Sequence, residues 1–178
     1  MALNQPIPPG LFPVTQSLRD SSQSPNHPSL VIAGKAQWRE SEVFQAAQQA
    51  GLEGRVVFPG YVDDADLPAL YSAATVFVDP SLYEGFGLPP LEAMACGTPV
   101  ISTHAASLPE VVGDAALLID PTDTAALTQA LHDILSQPAL HADLRQRGLD
   151  RAAQFSWERC AAETLAVYAD VLARRRGQ

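Results

Sequence analysis

Residues 75–103 read TVFVDPSLYEGFGLPPLEAMACGTPVIST, and the order of residue types in this stretch decides the fold class. Two short apolar runs, TVFVDP (75–80) and TPVIST (98–103), are too brief for helices and carry the β-branched residues that suit strands. Between them, Pro89 or Pro90 occupies the first turn of a helix predicted from Pro89 to Cys96, and Gly97 lies just past its end. Strand, glycine loop, helix and strand in that order make a βαβ unit, in which the connecting helix lets the two strands run parallel.

The same alternation extends in both directions. SLVIAG (29–34), RVVFPG (55–60) and AALLID (115–120) are short, apolar throughout and stopped by Gly, Pro or Asp, as strands covered on both faces are. Helices are predicted at 41–50, 65–73, 108–112 and 124–136. Ser107 and Glu110 have capping-box spacing, and Gly113 closes the short helix between them. Two more helices, 138–154 and 157–175, follow without a strand. The last should bury a stripe through Cys160, Leu165, Val167, Tyr168 and Val171 or Leu172, as a terminal brace. The pattern predicts an α/β domain: a Rossmann-like parallel sheet of about five strands flanked by helices, with a long C-terminal helix. It occupies residues 29–178. Residues 1–28, with prolines at 6, 8, 9, 13, 25 and 28, read as an irregular segment.

Composition narrows the functions available. A chain of 178 residues forms one domain that buries roughly 70% of its unfolded surface, without disulfide or structural metal. Cys96 and Cys160 are solitary and lack zinc-ligand spacing, which suits a reduced, cytoplasmic setting. Neither a membrane-spanning run nor a signal peptide is expected. A net charge of −9 argues against nucleic acid as a partner. The arginines at 145, 147, 151, 159 and 174–176 read mainly as the solvated faces and dipole-compensating last turns of terminal helices.

In a parallel sheet the ligand lies beyond the carboxyl ends of the strands, which is where Glu84 falls. Gly85 and Gly87 let the backbone approach a ligand closely or take positive φ, and their amides lead into a helix N-terminus at Leu88. Glu92 lies about one turn into that helix. A carboxylate accepts two hydrogen bonds, and a vicinal diol supplies two donors. The residues alone thus reach an anion and polyol site. They leave open a pair of glycosidase carboxylates, which would stand about 5.5 Å apart for retention or about 6.5–9.5 Å for inversion.

From LYSAATVFVDPSLYEGFGLPPLEAMACGTPVISTHAASLPEVVGDAALLIDP the chain resembles the donor-binding half of group 1, or family 4, glycosyltransferases, which retain anomeric configuration and have the GT-B fold. Their signature of two glutamates separated by seven residues falls on Glu84 and Glu92. The resemblance runs over residues 29–173. It implies transfer of a hexosyl group, mannosyl by the commoner relatives, from a nucleotide-diphosphate sugar to a glycan or lipid-linked acceptor. Glu84 would be the catalytic-site acid on the donor sugar. Gly85, Phe86, Gly87 and Leu88 would bind sugar hydroxyls and the distal phosphate, Glu92 the ribose, and Tyr61 and Val62 the base; apart from the resemblance, Lys35 directly after VIAG falls on the ligand edge, where it could offer a phosphate one positive charge. No metal or cofactor is implied beyond the nucleotide-sugar substrate.

The same resemblance implies what should accompany this half: an N-terminal acceptor-binding domain, and an opening strand followed by an Arg and a Lys. Neither is visible in residues 1–28, so the chain reads as truncated, with a gap where the central strand would stand. The full enzyme is expected to associate peripherally with a membrane, and the exposed C-terminal helix to promote self-association. Two other functions stand beside this one: a non-catalytic nucleotide-sugar-binding module, and a glycoside hydrolase using Glu84 and Glu92.

Overall fold

The computed structural model describes residues 28–34, 42–52 and 54–176. The segment expected to be irregular, apart from Pro28, and Lys35 lie outside the described residues. The chain divides into two compact units, one ending at Ala73 and the other comprising Ala74–Gln178.

In the first unit, β1 (Leu30–Ala33) runs parallel to β2 (Val56–Gly60), with Leu30 opposite Val56 and Val31 opposite Val57. The register slips before Ala33, which pairs with Gly60. Between the strands, α1 (Glu42–Gln49) sets Phe44 edge-on to Phe58 of β2, with ring centroids 5.5 Å apart. The unit ends with α2 (Leu67–Ala73), whose Tyr71 is buried.

The second unit begins with the βαβ stretch. β3 (Phe77–Val78) and β5 (Ala116–Ile119) flank β4 (Val100–Thr103), all parallel, with Val100 opposite both Phe77 and Ala116. As the central strand, β4 has all four of its residues buried. The helices are α3 (Leu88–Ala95), α4 (Leu108–Val112), α5 (Thr124–Ser136), α6 (Pro138–Ala152) and α7 (Trp157–Arg176). Ile101, Ile119, Ala130, Ile134 and Leu144 form a core between the sheet and α5 and α6. α3 buries Pro90, Leu91, Ala93 and Met94. Gly148 of α6 lets that helix close on Met94, since a Cβ there would lie 3.2 Å from Met94 Cγ.

Gly97 ends α3 as the sequence predicts, with φ 74°. Its N–H donates to Met94 O at 2.9 Å and that of Thr98 to Ala93 O at 2.9 Å, the paired bonds of a Schellman turn. This turn delivers the chain into Pro99 and β4.

Three expectations change. The five strands form a two-stranded and a three-stranded parallel ladder, because no described strand pairs with members of both. Along α7 every described side chain from Trp157 to Arg175 is exposed, so the stripe read as a buried brace is not buried and the helix is exposed, as the second expectation for it had it: Leu165 is 66% and Tyr168 61% exposed. The helix is supported locally instead, by the i,i+4 pairs Arg159–Glu163 at 2.7 Å and Arg174–Asp170 at 2.8 Å. Finally, three arginines of α6 serve helix ends other than their own. Arg145 donates to Gly97 O beyond α3, Arg147 to Asp114 O, and Arg151 to Val111 O at 2.8 Å and Glu110 O at 2.5 Å. They compensate neighbouring helix C-termini, which spacing within one helix cannot reveal. No described helix is long and apolar enough to cross a membrane.

Candidate functional site

The chain leaves β3 through Asp79, a buried residue whose Oδ1 accepts from Ser81 N at 3.1 Å and from Ser81 Oγ at 2.5 Å. Ser81 Oγ also lies 3.4 Å from Glu84 Oε1. A hydroxyl carries one proton, and the shorter contact takes it. The half-buried Glu84 carboxyl is thus close to Ser81 without receiving its proton, and keeps acceptor capacity for a ligand.

The loop from Glu84 to Leu88 and the turn before it are held by the end of β4 and the segment that follows it. Thr103 Oγ1, fully buried, donates to Ser81 O at 2.7 Å. Ser107 Oγ shares its proton between Phe86 O at 3.0 Å and Glu84 O at 3.2 Å. This corrects the capping-box expectation: Ser107 stands at the N-cap of α4 but makes no side-chain cap bond there. Two physical reasons are visible. Pro109 removes one of the N–H groups a cap would bind, and Ser107 has helical dihedrals, φ −81° and ψ −12°, rather than the extended ones of a capping residue. Ala106 before it is left-handed, with φ 46°. For a non-glycine residue this costs about 1–2 kcal/mol.

Gly87 answers to two demands at once. It caps α3 with φ 101° and ψ 47°, and a Cβ there would stand 2.8 Å from Leu108 Cδ2. Only glycine satisfies both. Gly85 has no positive φ and faces open space, with nothing within 4 Å of where a Cβ would stand. Pro89 and Pro90 bring no N–H to the first turn of α3, and no side chain caps it. The N–H groups of Gly85, Phe86, Gly87 and Leu88 have no acceptor among the described residues. Four donors at a helix N-terminus, between Glu84 and the exposed Glu92 of α3, form an arrangement suited to an anion.

Phe86 also ties the loop to the end of α6. Its ring meets Phe155 edge-on at 6.2 Å, and the Arg151 guanidinium lies 4.9 Å from the centre of Phe155. From sequence, Ser107 falls with His104 on the ligand edge but reads as a helix cap, and Phe155 is not singled out. Pro109 at the second position of α4 was the available signal that Ser107 is not an ordinary cap. His104 is exposed at the end of β4, where its N–H donates to Ile119 O at 3.0 Å. Tyr61, exposed, and Val62, half-buried, follow β2 in the first unit. Among the described residues no three His, Cys, Asp or Glu side chains gather as a metal-ligand group.

The most similar proteins include O-antigen chain mannosyltransferase B of Escherichia coli, 45% identical over 139 residues, a match covering 78% of this chain and 36% of that protein. The chain therefore spans about a third of that relative's length. Among solved structures, sucrose-phosphate synthase from Thermosynechococcus elongatus matches with TM-score 0.74 and 34% identity, over 89% of this chain and 42% of the other. Alr3699/HepE from Anabaena, solved in complex with UDP, matches with TM-score 0.71 and 28% identity, over 85% of this chain and 44% of the other. The family model described as glycosyl transferases group 1 matches residues 10–151, most of the sequence and all of the glycine loop, and the chain belongs to that family.

Proposed function

We propose that this chain supplies the donor-binding half of a retaining hexosyltransferase, which moves a hexosyl group, mannosyl by likeness to the E. coli relative, from a nucleotide-diphosphate sugar to a glycan or lipid-linked acceptor. The observation that carries the reading is the set of four loop N–H groups, without an acceptor among the described residues, between two glutamates in a chain of this family. The donors would take the diphosphate, whose charge grows as the glycosidic bond breaks. Glu84 would accept from hydroxyls of the sugar, and Glu92 from the ribose. The leaving diphosphate would assist the acceptor hydroxyl on the same face, so neither a covalent nucleophile nor a metal is part of the proposal. An acceptor-binding domain, a cytoplasmic location and peripheral contact with a membrane complete it. The two other functions lack comparable support, since the relatives are transferases.

Calorimetric titration with GDP-mannose and UDP-glucose tests the reading. Glu92→Ala should weaken binding of the preferred donor about tenfold or more, the worth of a charge-assisted bidentate contact. Undiminished affinity in this variant would remove the ribose role.

A further inference from the structure

We infer that Ser107 is a positioning residue for the donor's phosphates, acting by fixing which way the peptide units of the glycine loop face. The inference rests on the donor-binding reading above and adds to it a residue that touches no substrate. In a trans peptide the carbonyl and the N–H of one unit point in opposite directions, and no peptide bond among the described residues is cis. Ser107 Oγ holds two loop carbonyls, Glu84 O at 3.2 Å and Phe86 O at 3.0 Å. The N–H groups in those same two peptide planes belong to Gly85 and Gly87. Turning both carbonyls toward the start of α4 turns both N–H groups away from it, onto a common side. Two donors pointing alike suit an anion, whereas a flipped unit would present it with a carbonyl oxygen.

Independent features indicate that Ser107 is aimed at the loop. Its hydroxyl leaves the N-terminus of its own helix uncapped. The residue before it, Ala106, holds a left-handed φ of 46° that alanine disfavours, and such strain persists where surrounding structure requires it. Gly85 and Gly87, the residues whose peptide units are held, have little intrinsic bias against flipping. Loss of the hydroxyl therefore frees both carbonyls to turn.

The test uses the full chain, isotope-labelled, as wild type, Ser107→Ala and Ser107→Thr. GDP, UDP and inorganic pyrophosphate are titrated while the amide resonances of Gly85 and Gly87 are followed. In the wild type both amides should shift with at least one of the three. Ser107→Ala should bind that probe about tenfold more weakly, with the Gly85 and Gly87 responses reduced, and Ser107→Thr should stay within about threefold of wild type. Should Ser107→Ala lose its folded amide dispersion, Ser107→Cys takes its place, with an intermediate loss expected from its weak donor. Equal affinity in wild type and Ser107→Ala overturns the inference while leaving the donor-binding reading intact. A wild type whose two amides respond to pyrophosphate but to neither nucleotide, with that response lost in Ser107→Ala, keeps the inference and sinks the nucleotide reading. A wild type in which neither amide responds to any probe sinks the inference.

Discussion

Both β3 and β5 are followed by an aspartate, a proline and a hydroxyl residue, and the two turns have nearly the same local bonds. Asp79 Oδ1 accepts from Ser81 N at 3.1 Å and Ser81 Oγ at 2.5 Å. Asp120 Oδ1 accepts from Thr122 N at 2.8 Å and Thr122 Oγ1 at 2.6 Å. Their surroundings differ. Asp79 is 7% exposed and its Oδ2 has no partner among the described residues, while Asp120 lies at the surface. After Asp120 the chain enters a helix at once: Asp123 caps α5 by accepting from Ala126 N at 2.9 Å. After Asp79 it runs through the glycine loop to a helix whose cap is a glycine and whose entry N–H groups have no acceptor among the described residues. The same turn chemistry thus serves an ordinary strand-to-helix connection and a ligand loop. What separates them is burial of the turn and omission of the cap.

Mutations can break this contrast or sharpen it. The largest effect is expected for Asp79→Ala, which leaves the Ser81 N–H and hydroxyl without their acceptor next to the loop. It should lower stability in urea by about 1–3 kcal/mol. The matching Asp120→Ala should leave the urea midpoint close to that of wild type, as exposed substitutions do. Equal losses at the two sites would show that burial does not distinguish the turns. Next in size, Asp123→Ala should cost about 1 kcal/mol through the lost cap of α5, read from the same denaturation midpoint, and should leave nucleotide binding unchanged.

The smallest effect concerns pH. The hydroxyl and amide of Thr122, with a lesser contribution from the charge of His104, hold the Asp120 carboxyl below its ordinary 3.8. A carboxyl that is more acidic folded than unfolded stabilises the protein above the unfolded value, and that contribution disappears as pH falls through the lower folded value. The melting temperature of Asp120→Asn should therefore fall slightly short of wild type at neutral pH. The gap should close as the pH is brought below the ordinary carboxyl value of 3.8. A gap that widens on acidification would reverse the assigned sign.

Much of this was legible in the sequence where the cause is local. Gly97 marks the end of α3 because a helix needs a left-handed residue to close its last carbonyls, and it does so at φ 74°. Gly87 was legible as a loop glycine, although the methyl group of Leu108 that also excludes a side chain there comes from a later helix. The strands were found because β-branched runs stopped by Gly, Pro or Asp are unambiguous; the division into two ladders was not, since pairing depends on partners far along the chain. Ser107 illustrates the limit within the site. Its spacing to Glu110 matches a capping box, yet its acceptors are carbonyls 21 and 23 residues upstream. Arg145 and Arg151 pose the same difficulty, because the carbonyls they serve lie 48 and 40 residues away. Side-chain bonds of that range follow from packing and not from any periodicity.

Those arginines also set an order of unfolding. Along α6 from its C-terminal end, Arg151 holds the last carbonyls of α4, Arg147 the carbonyl of Asp114 before β5, and Arg145 that of Gly97 after α3. Fraying of α6 from that end therefore releases α4 first and the end of α3 last. Because α4 begins at the hydroxyl that binds the glycine loop, an opening of α6 from that end would reach the loop's support through α4.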